Sequence, residues 1–167
     1  MKPRAHLPPI PRIDTGRLQL RYWKPADVHI LREALERNRA HLAPWMPWAN
    51  GELEPLEEHM ERLKHWRELC DQGRDYIRGV IDPSGERVIG GCGLHPRCGE
   101  GGLEIGCWID GDETGRGLGT ELAAALVRIG MDVARVQRIE IHTDVDHEIS
   151  ARIPRKLGFL EEGILRE

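Results

Sequence analysis

The sequence predicts an α+β domain, and three observations lead there. Segments of period-two alternation and segments of helical spacing are interspersed in the order β-α-α-β-β-β-α-β-α-β. Three of the strands follow one another with no helix between them, as in an antiparallel meander. The chain has 167 residues, a length that suits one domain with a sizeable core, and no repeat or interdomain linker divides it.

Residues 1–13 carry four prolines and predict an extended arm ahead of a single domain over 14–167. Arg17–Trp23 alternates, with Leu18, Leu20 and Tyr22 on one face, and reads as a strand. Pro25 opens a helix in which Val28, Leu31 and Leu35 recur at helical spacing to Arg39. Pro44 and Pro47 exclude regular helix from the next stretch, and a second helix spans Pro55 to Gln72. Tyr76–Ile81, Val88–Leu94 and Leu103–Ile109 are the meander strands, the first two joined by an Asp82-Pro83-Ser84-Gly85 turn. Leu122, Ala125, Leu126, Ile129 and Val133 mark a helix opened by glycines at 115–119. Arg138–Asp144 is a further strand, a short helix holds Ile149, Ile153 and Leu157, and Phe159–Leu165 reads as the last strand.

Composition narrows the function classes. The net charge of −4 argues against a nucleic-acid binder, which normally shows a basic excess. No apolar run reaches the roughly 18–20 residues of a membrane span, and no signal peptide is visible. Four cysteines without a secretion signal point to a reduced, cytoplasmic protein.

The segment 108–120 carries the most chemistry: a strand feeds a loop with alternate glycines, Gly115, Gly117 and Gly119, and then a helix. Unpaired N–H groups at a helix N-terminus favour phosphate oxygens, and glycine lets backbone approach an anion closely. A glycine-rich turn packed on a neighbouring strand is the plain alternative. A P-loop is excluded because Thr120-Glu121, not Lys-Ser/Thr, follows Gly119, and the third glycine of a dinucleotide fingerprint is replaced by Thr120.

Gly-Arg-Gly-Leu-Gly-Thr at 115–120, followed by Ser-Ala-Arg-Ile-Pro-Arg-Lys-Leu-Gly-Phe at 150–159, resembles the Gcn5-related N-acetyltransferases (GNAT). Thr15–Arg21, the His41–Trp48 loop and Leu103-Glu104-Ile105-Gly106 are similar to the RimJ/RimL-like branch, which acetylates protein N-termini and small amines. The resemblance implies a mixed, mostly antiparallel twisted sheet flanked by helices, with acetyl-CoA as co-substrate and no metal. It implies that Arg116, Gly117, Leu118, Gly119 and Thr120 cradle the pyrophosphate, although Thr114 stands where the loop often has Gln or Arg. It also implies that the preceding strand splays from its neighbour and pairs with pantetheine along Cys107, Trp108 and Ile109. The resemblance also implies a cofactor-binding role for His147, which replaces the usual asparagine of the second motif and can still donate or accept one hydrogen bond, while Pro154 removes the N–H that would bond the Ser150 carbonyl. Relatives of the branch often pair as homodimers. They also continue past the Leu-Gly-Phe segment into a sheet-closing strand; the expectation here is that this strand is lost, is supplied by a neighbouring chain or lies outside the given sequence, and its loss would leave an unpaired edge.

The implied reaction is attack of an amine on the acetyl thioester. An α-amine of pKa ~8 is mostly protonated at pH 7, so a base is useful. Alternation sets Glu104, Gly106 and Trp108 on one strand face. Glu104 is thereby the leading base candidate, its pKa expected to rise by burial; an edge ion pair is the bland alternative. His142 is a second candidate. By resemblance Ser150 serves the departing thiolate, a role compatible with capping a helix. Trp45 and Trp48 lie where the family builds its acceptor wall, and core packing is the competing reading for both. Cys92, His95, Cys98 and Cys107 lack convincing zinc spacing, so no metal is expected. The tyrosines, Tyr22 and Tyr76, lie far from the second motif. An acyl-CoA-binding or assembly module without turnover is the rival reading.

Overall fold

The computed structural model describes residues 8–166. Six strands form one sheet in sequence order: β1 (Arg12–Asp14), β2 (Gln19–Arg21), β3 (Tyr76–Ile81), β4 (Val88–His95), β5 (Gly102–Ile109) and β6 (Arg138–Ile141). Every neighbouring pair is antiparallel except β5 and β6, which are parallel. The α+β class and the mostly antiparallel sheet are as expected.

Helices α1 (Val28–Leu42) and α2 (Leu56–Asp71) cover one face, and α3 (Leu118–Arg128) covers the other. Val28, Leu31, Ala34, Asn38 and Leu42 form the buried stripe of α1. Leu118, Leu122 and Leu126 of α3 join Leu103 and Ile105 of β5 in the larger core cluster. Alternation along β5 turns Trp108 to the α1–α2 face and Cys107 and Ile109 toward the α3 face.

Some elements depart from the sequence reading. The first turn after Pro25 is a 3₁₀ turn, Pro25–Asp27, and Asp27 turns back to accept the Lys24 N–H at 2.8 Å. Asp27 also takes a bidentate hydrogen-bond pair from Arg21, at 2.7 and 2.9 Å, tying β2 to the start of α1. β1 takes Arg12 and Ile13, the end of the proline-rich arm, into the sheet beside β2, a short strand that alternation alone does not reveal; residues 1–7 of the arm lie outside the described residues. The third helix is shorter than its periodicity suggests, because residues Ile129–Val133 widen into a π turn. β6 ends at Ile141 rather than Asp144. α4 (Glu148–Lys156) runs through Pro154. Phe159–Leu165 is not a strand: the segment has no ladder partner, and Leu160, Ile164 and Leu165 are exposed. Apolar residues at both ends of the segment read as a strand, but the outer edge of β6 stays unpaired among the described residues.

The end of β5 is fixed by a buried carboxylate. Asp110 accepts from Arg37 Nη2 at 2.6 Å and Arg87 Nη2 at 3.3 Å, and its own N–H donates to the Ile89 carbonyl. Burial would raise its pKa, but Arg37 and the Asp112 N–H override burial and hold the carboxyl below the ordinary range. Asn38 Oδ1 accepts the Gly111 N–H at 2.7 Å, so α1 clamps both residues that leave the strand. Because the folded-state pKa is lowered, this stabilisation is present above about pH 4 and is lost as pH falls through the folded value. Arg37→Ala leaves the carboxylate buried with Arg87 as its remaining cation. Urea unfolding at pH 7 is expected to show a loss of about 2–3 kcal/mol, near the lower end for a broken buried pair. The acid-unfolding midpoint of the variant should move to higher pH.

Candidate active site

β5 outruns β6. The parallel ladder pairs Gly102 with Arg138 through Ile105 with Ile141 and then stops, while β5 continues against β4 as far as Ile109. Gly106, Cys107, Trp108 and Ile109 therefore have a strand on one side alone. Backbone groups of alternate residues point to opposite edges of a strand. The Asp110 N–H bonds to Ile89 of β4, so Trp108 also turns its N–H and C=O toward β4. Cys107 and Ile109 then direct theirs to the side that β6 has vacated. The expected splay is present, and two of its three named residues offer backbone to it. Trp108 instead packs its side chain against the core cluster on the α1–α2 face.

The open edge leads through a 3₁₀ turn, Gly111–Glu113, into the N-terminus of α3. Gly117 is the N-cap residue at φ +80°, a left-handed conformation that costs a side-chain-bearing residue roughly 1–2 kcal/mol. No side chain caps this terminus, so the N–H groups of Leu118, Gly119 and Thr120 have no intrahelical partner. The first helical bond is from the Glu121 N–H to Gly117. Arg116 is exposed and ion-paired with Glu113. Arg17, which sequence reasoning did not assign to the site, donates from Nη1 to the Arg116 carbonyl at 2.9 Å and from Nε to Glu121 at 2.7 Å. Burial would raise the Glu121 carboxyl, yet hydrogen bonds from Thr15 and Arg17 lower it overall. The edge, the uncapped helix start and two arginines together can hold an extended chain ending in a phosphate.

Glu104 lies at the last part of the paired region, opposite His95 on β4 and Glu140 on β6. It is half-buried, with Arg97 Nη1 at 3.8 Å. Glu140 is engaged by Arg138 and His142, which pull its carboxyl down to about 2. His142 is exposed and serves as that carboxylate's partner, at 2.8 Å. The sequence-stated pair Cys92 and His95 cannot share a metal, since they occupy opposite sheet faces. Cys92 is buried in the α3-side core, and its thiol and that of Cys107 are pushed up by burial, Cys107 to about 11.

The turn after α1 reaches the second motif, where the Trp45 indole stacks on the His147 imidazole, centroids 3.9 Å apart and planes 15° apart. Trp48, by contrast, is 54% exposed. His147, not Ser150, is the N-cap position of α4, so the capping reading of Ser150 is set aside. The Ser150 hydroxyl sits half-buried in the first turn and has no hydrogen-bond partner among the described residues.

A family model described as an acetyltransferase (GNAT) domain matches residues 17–160. The chain belongs to the GNAT acetyltransferases. The acetyltransferase is similar to the Bacillus subtilis protein named "Putative ribosomal N-acetyltransferase YdaF", 24% identical over 151 residues, covering 90% of this chain and 81% of that one. Among solved structures, the microcin C7 self-immunity acetyltransferase MccE, in complex with acetyl-CoA and AMP, aligns at a TM-score of 0.82 with 18% identity. It covers 95% of this chain and 87% of that one. RimL, a ribosomal L7/L12 α-N-protein acetyltransferase in complex with coenzyme A, aligns at 0.77 with 20% identity, covering 91% and 85%. At these identities the structures show a shared fold. Among the described residues no helix is long and apolar enough to cross a membrane.

Burial and the neighbouring His41 lower the His147 pKa, partly offset by Asp144, so the stacked imidazole is neutral at pH 7. Protonated imidazole quenches an adjacent indole. Tryptophan fluorescence titrated downward should therefore show a quenching step with its midpoint below about pH 6.5. Trp45→Phe should abolish that step. A step retained in the variant would place the quencher elsewhere.

Proposed function

We propose that this acetyltransferase moves the acetyl group of acetyl-CoA to a primary amine, by direct attack in a ternary complex. The acceptor is a protein N-terminal α-amine or a small amine. The observation that carries this reading is the four-residue stretch of β5 with an open backbone edge, leading straight into an uncapped helix N-terminus. The pantetheine arm pairs with the free N–H and C=O groups of Cys107 and Ile109. Trp108, turned away along its backbone, forms the wall between them on the acceptor side. Arg116, Gly117, Leu118, Gly119 and Thr120 take the pyrophosphate, the last three through helix N–H groups. An N–H of the open edge also polarises the thioester carbonyl as charge develops on its oxygen.

On the α1–α2 face, Glu104 meets the incoming ammonium: its charge draws the cation, and its carboxylate accepts a proton as the nitrogen attacks. Ser150, with an unengaged hydroxyl, hydrogen-bonds the departing thiolate. Trp45, stacked on His147, forms a rigid wall of the acceptor pocket, His147 serves the cofactor from the second motif, and Trp48 is available to a larger acceptor. The names of the ribosomal-protein acetyltransferases among the relatives favour peptide N-termini, and the net charge of −4 suits a cationic acceptor. Four unpaired cysteines fit work in the reducing cytoplasm.

Acetyl-CoA with a panel of peptides and small amines should release free thiol, read continuously by a thiol reagent. Glu104→Gln is expected to lower kcat by about 100-fold with little change in acetyl-CoA affinity. Gly117→Val should weaken CoA binding about tenfold, because the loop must pay for a left-handed β-branched residue. Tight CoA binding with no thiol released from any amine would contradict catalysis. Unchanged turnover of Glu104→Gln would remove that residue from the reaction.

A further inference from the structure

Converting an ammonium to an amide removes two protons from nitrogen, one before attack and one after. Glu104 accounts for one of them. The geometry points to His95, oriented by Asp75, as the group that takes the other. This assignment deepens the reading above and rests on it.

His95 closes β4 directly opposite Glu104, on the α1–α2 face where the acceptor enters. Its ring does not stand up from the sheet. A Cβ built on Gly93 would lie 2.5 Å from His95 Nε2, and one built on Gly106 would lie 3.1 Å from it. The imidazole thus lies across two glycines on adjacent strands, and no larger residue at Gly93 leaves room for it. Gly106 is the first residue of β5 beyond the last β6 pair. Nε2 is therefore delivered to the vertex where the two strands part.

The other ring nitrogen is held. His95 Nδ1 lies 2.7 Å from Asp75 Oδ1, and the pair is half-buried, at 13% and 19% side-chain exposure. A carboxylate accepts a proton from Nδ1, which leaves the lone pair on Nε2. Asp75 itself is anchored at the start of β3, where its Oδ1 also accepts the Tyr76 N–H at 2.8 Å. Carboxylate, imidazole and a glycine floor beside a strand opening make a proton-accepting site with fixed tautomer and direction. The other charged groups in that row are Glu104, Arg97 beside it, and Glu140 on the next strand.

His95 Nε2 takes one proton from the ammonium, giving a neutral amine and an imidazolium facing Asp75. The nitrogen lone pair forms the N–C bond and the carbonyl π pair moves to oxygen. Collapse restores C=O and breaks C–S, the electron pair leaving on sulfur. Glu104 removes the second nitrogen proton, which then neutralises the thiolate by way of the Ser150 hydroxyl. His95 returns its proton to solvent, so each turnover releases one proton, one thiol and one amide. Asp75 touches no reacting atom and is a positioning residue.

The test compares His95→Gln, His95→Ala and Asp75→Asn with the unaltered protein, using acetyl-CoA and the peptide or amine that the wild type acetylates fastest. His95→Gln should lower kcat by about 100-fold and leave the acetyl-CoA Kd within twofold. The limb of the pH–kcat/KM profile that belongs to His95 should vanish with it. Asp75→Asn should lower kcat about tenfold and shift that limb. Added imidazole should restore part of the His95→Ala rate in a concentration-dependent way, which a packing role does not allow. A kcat for His95→Gln within twofold of wild type overturns the assignment. So does a loss without imidazole rescue, accompanied by equal losses in acetyl-CoA affinity and thermal stability. No transfer by the wild type to any amine would instead remove the acetyl-transfer reading on which the assignment stands.

Discussion

A strand that keeps one neighbour and loses the other is the constraint from which the site follows. β5 is paired with β4 over its length but with β6 only through Ile105. Unpaired backbone donors and acceptors are strong hydrogen-bonding groups that need partners, so an open edge inside a domain is a place for an extended ligand. Here the edge is short and directed, with Cys107 and Ile109 offering N–H and C=O while Trp108 is held by β4. It runs into the uncapped start of α3, where a second set of unpaired N–H groups waits. Hydrogen bonding along a chain and anion binding at a helix end are thus arranged in series on one stretch of sequence.

That arrangement needs β5 to end at a fixed point and α3 to begin at a fixed point. Asp110 secures the first by joining α1, β4 and the strand end through Arg37, Arg87 and Ile89. Glu121 secures the second, because Thr15 and Arg17 of the segment before β2 both donate to it. Both carboxylates are held below their ordinary pKa by these donors. The loop between them is free to serve a ligand because its two ends are bound to elements that are far away in sequence.

The fold was legible where pattern and partner agree. Tyr76–Ile81, apolar at both ends and buried on both faces, finds β2 and β4 on its two sides, so its limits can be read directly from the residues. Phe159–Leu165 is also apolar at both ends and forms no strand, since composition cannot say whether a segment pairs with a sheet edge. The glycines at 115–119 mark the proposed anion site because left-handed backbone and close approach favour glycine there. The Asp75–His95 pair leaves no such mark: twenty positions of sequence separate two polar residues, and only tertiary packing joins them. Its trace in the sequence is indirect, in glycines at 93 and 106 inside strands that otherwise favour branched side chains. The Trp45–His147 stack was equally hidden, although both residues were named as site candidates on other grounds.

The central claim is that the vacated edge of β5 receives the pantetheine arm. Residue-resolved hydrogen exchange with and without saturating acetyl-CoA tests it most directly. The amides of Cys107 and Ile109 should exchange quickly in the free protein and slow by at least tenfold on binding. The Trp108 amide, already bonded to β4, should be slow in both states. Acetyl-CoA bound at saturation with the exchange of Cys107 and Ile109 unchanged would contradict the account.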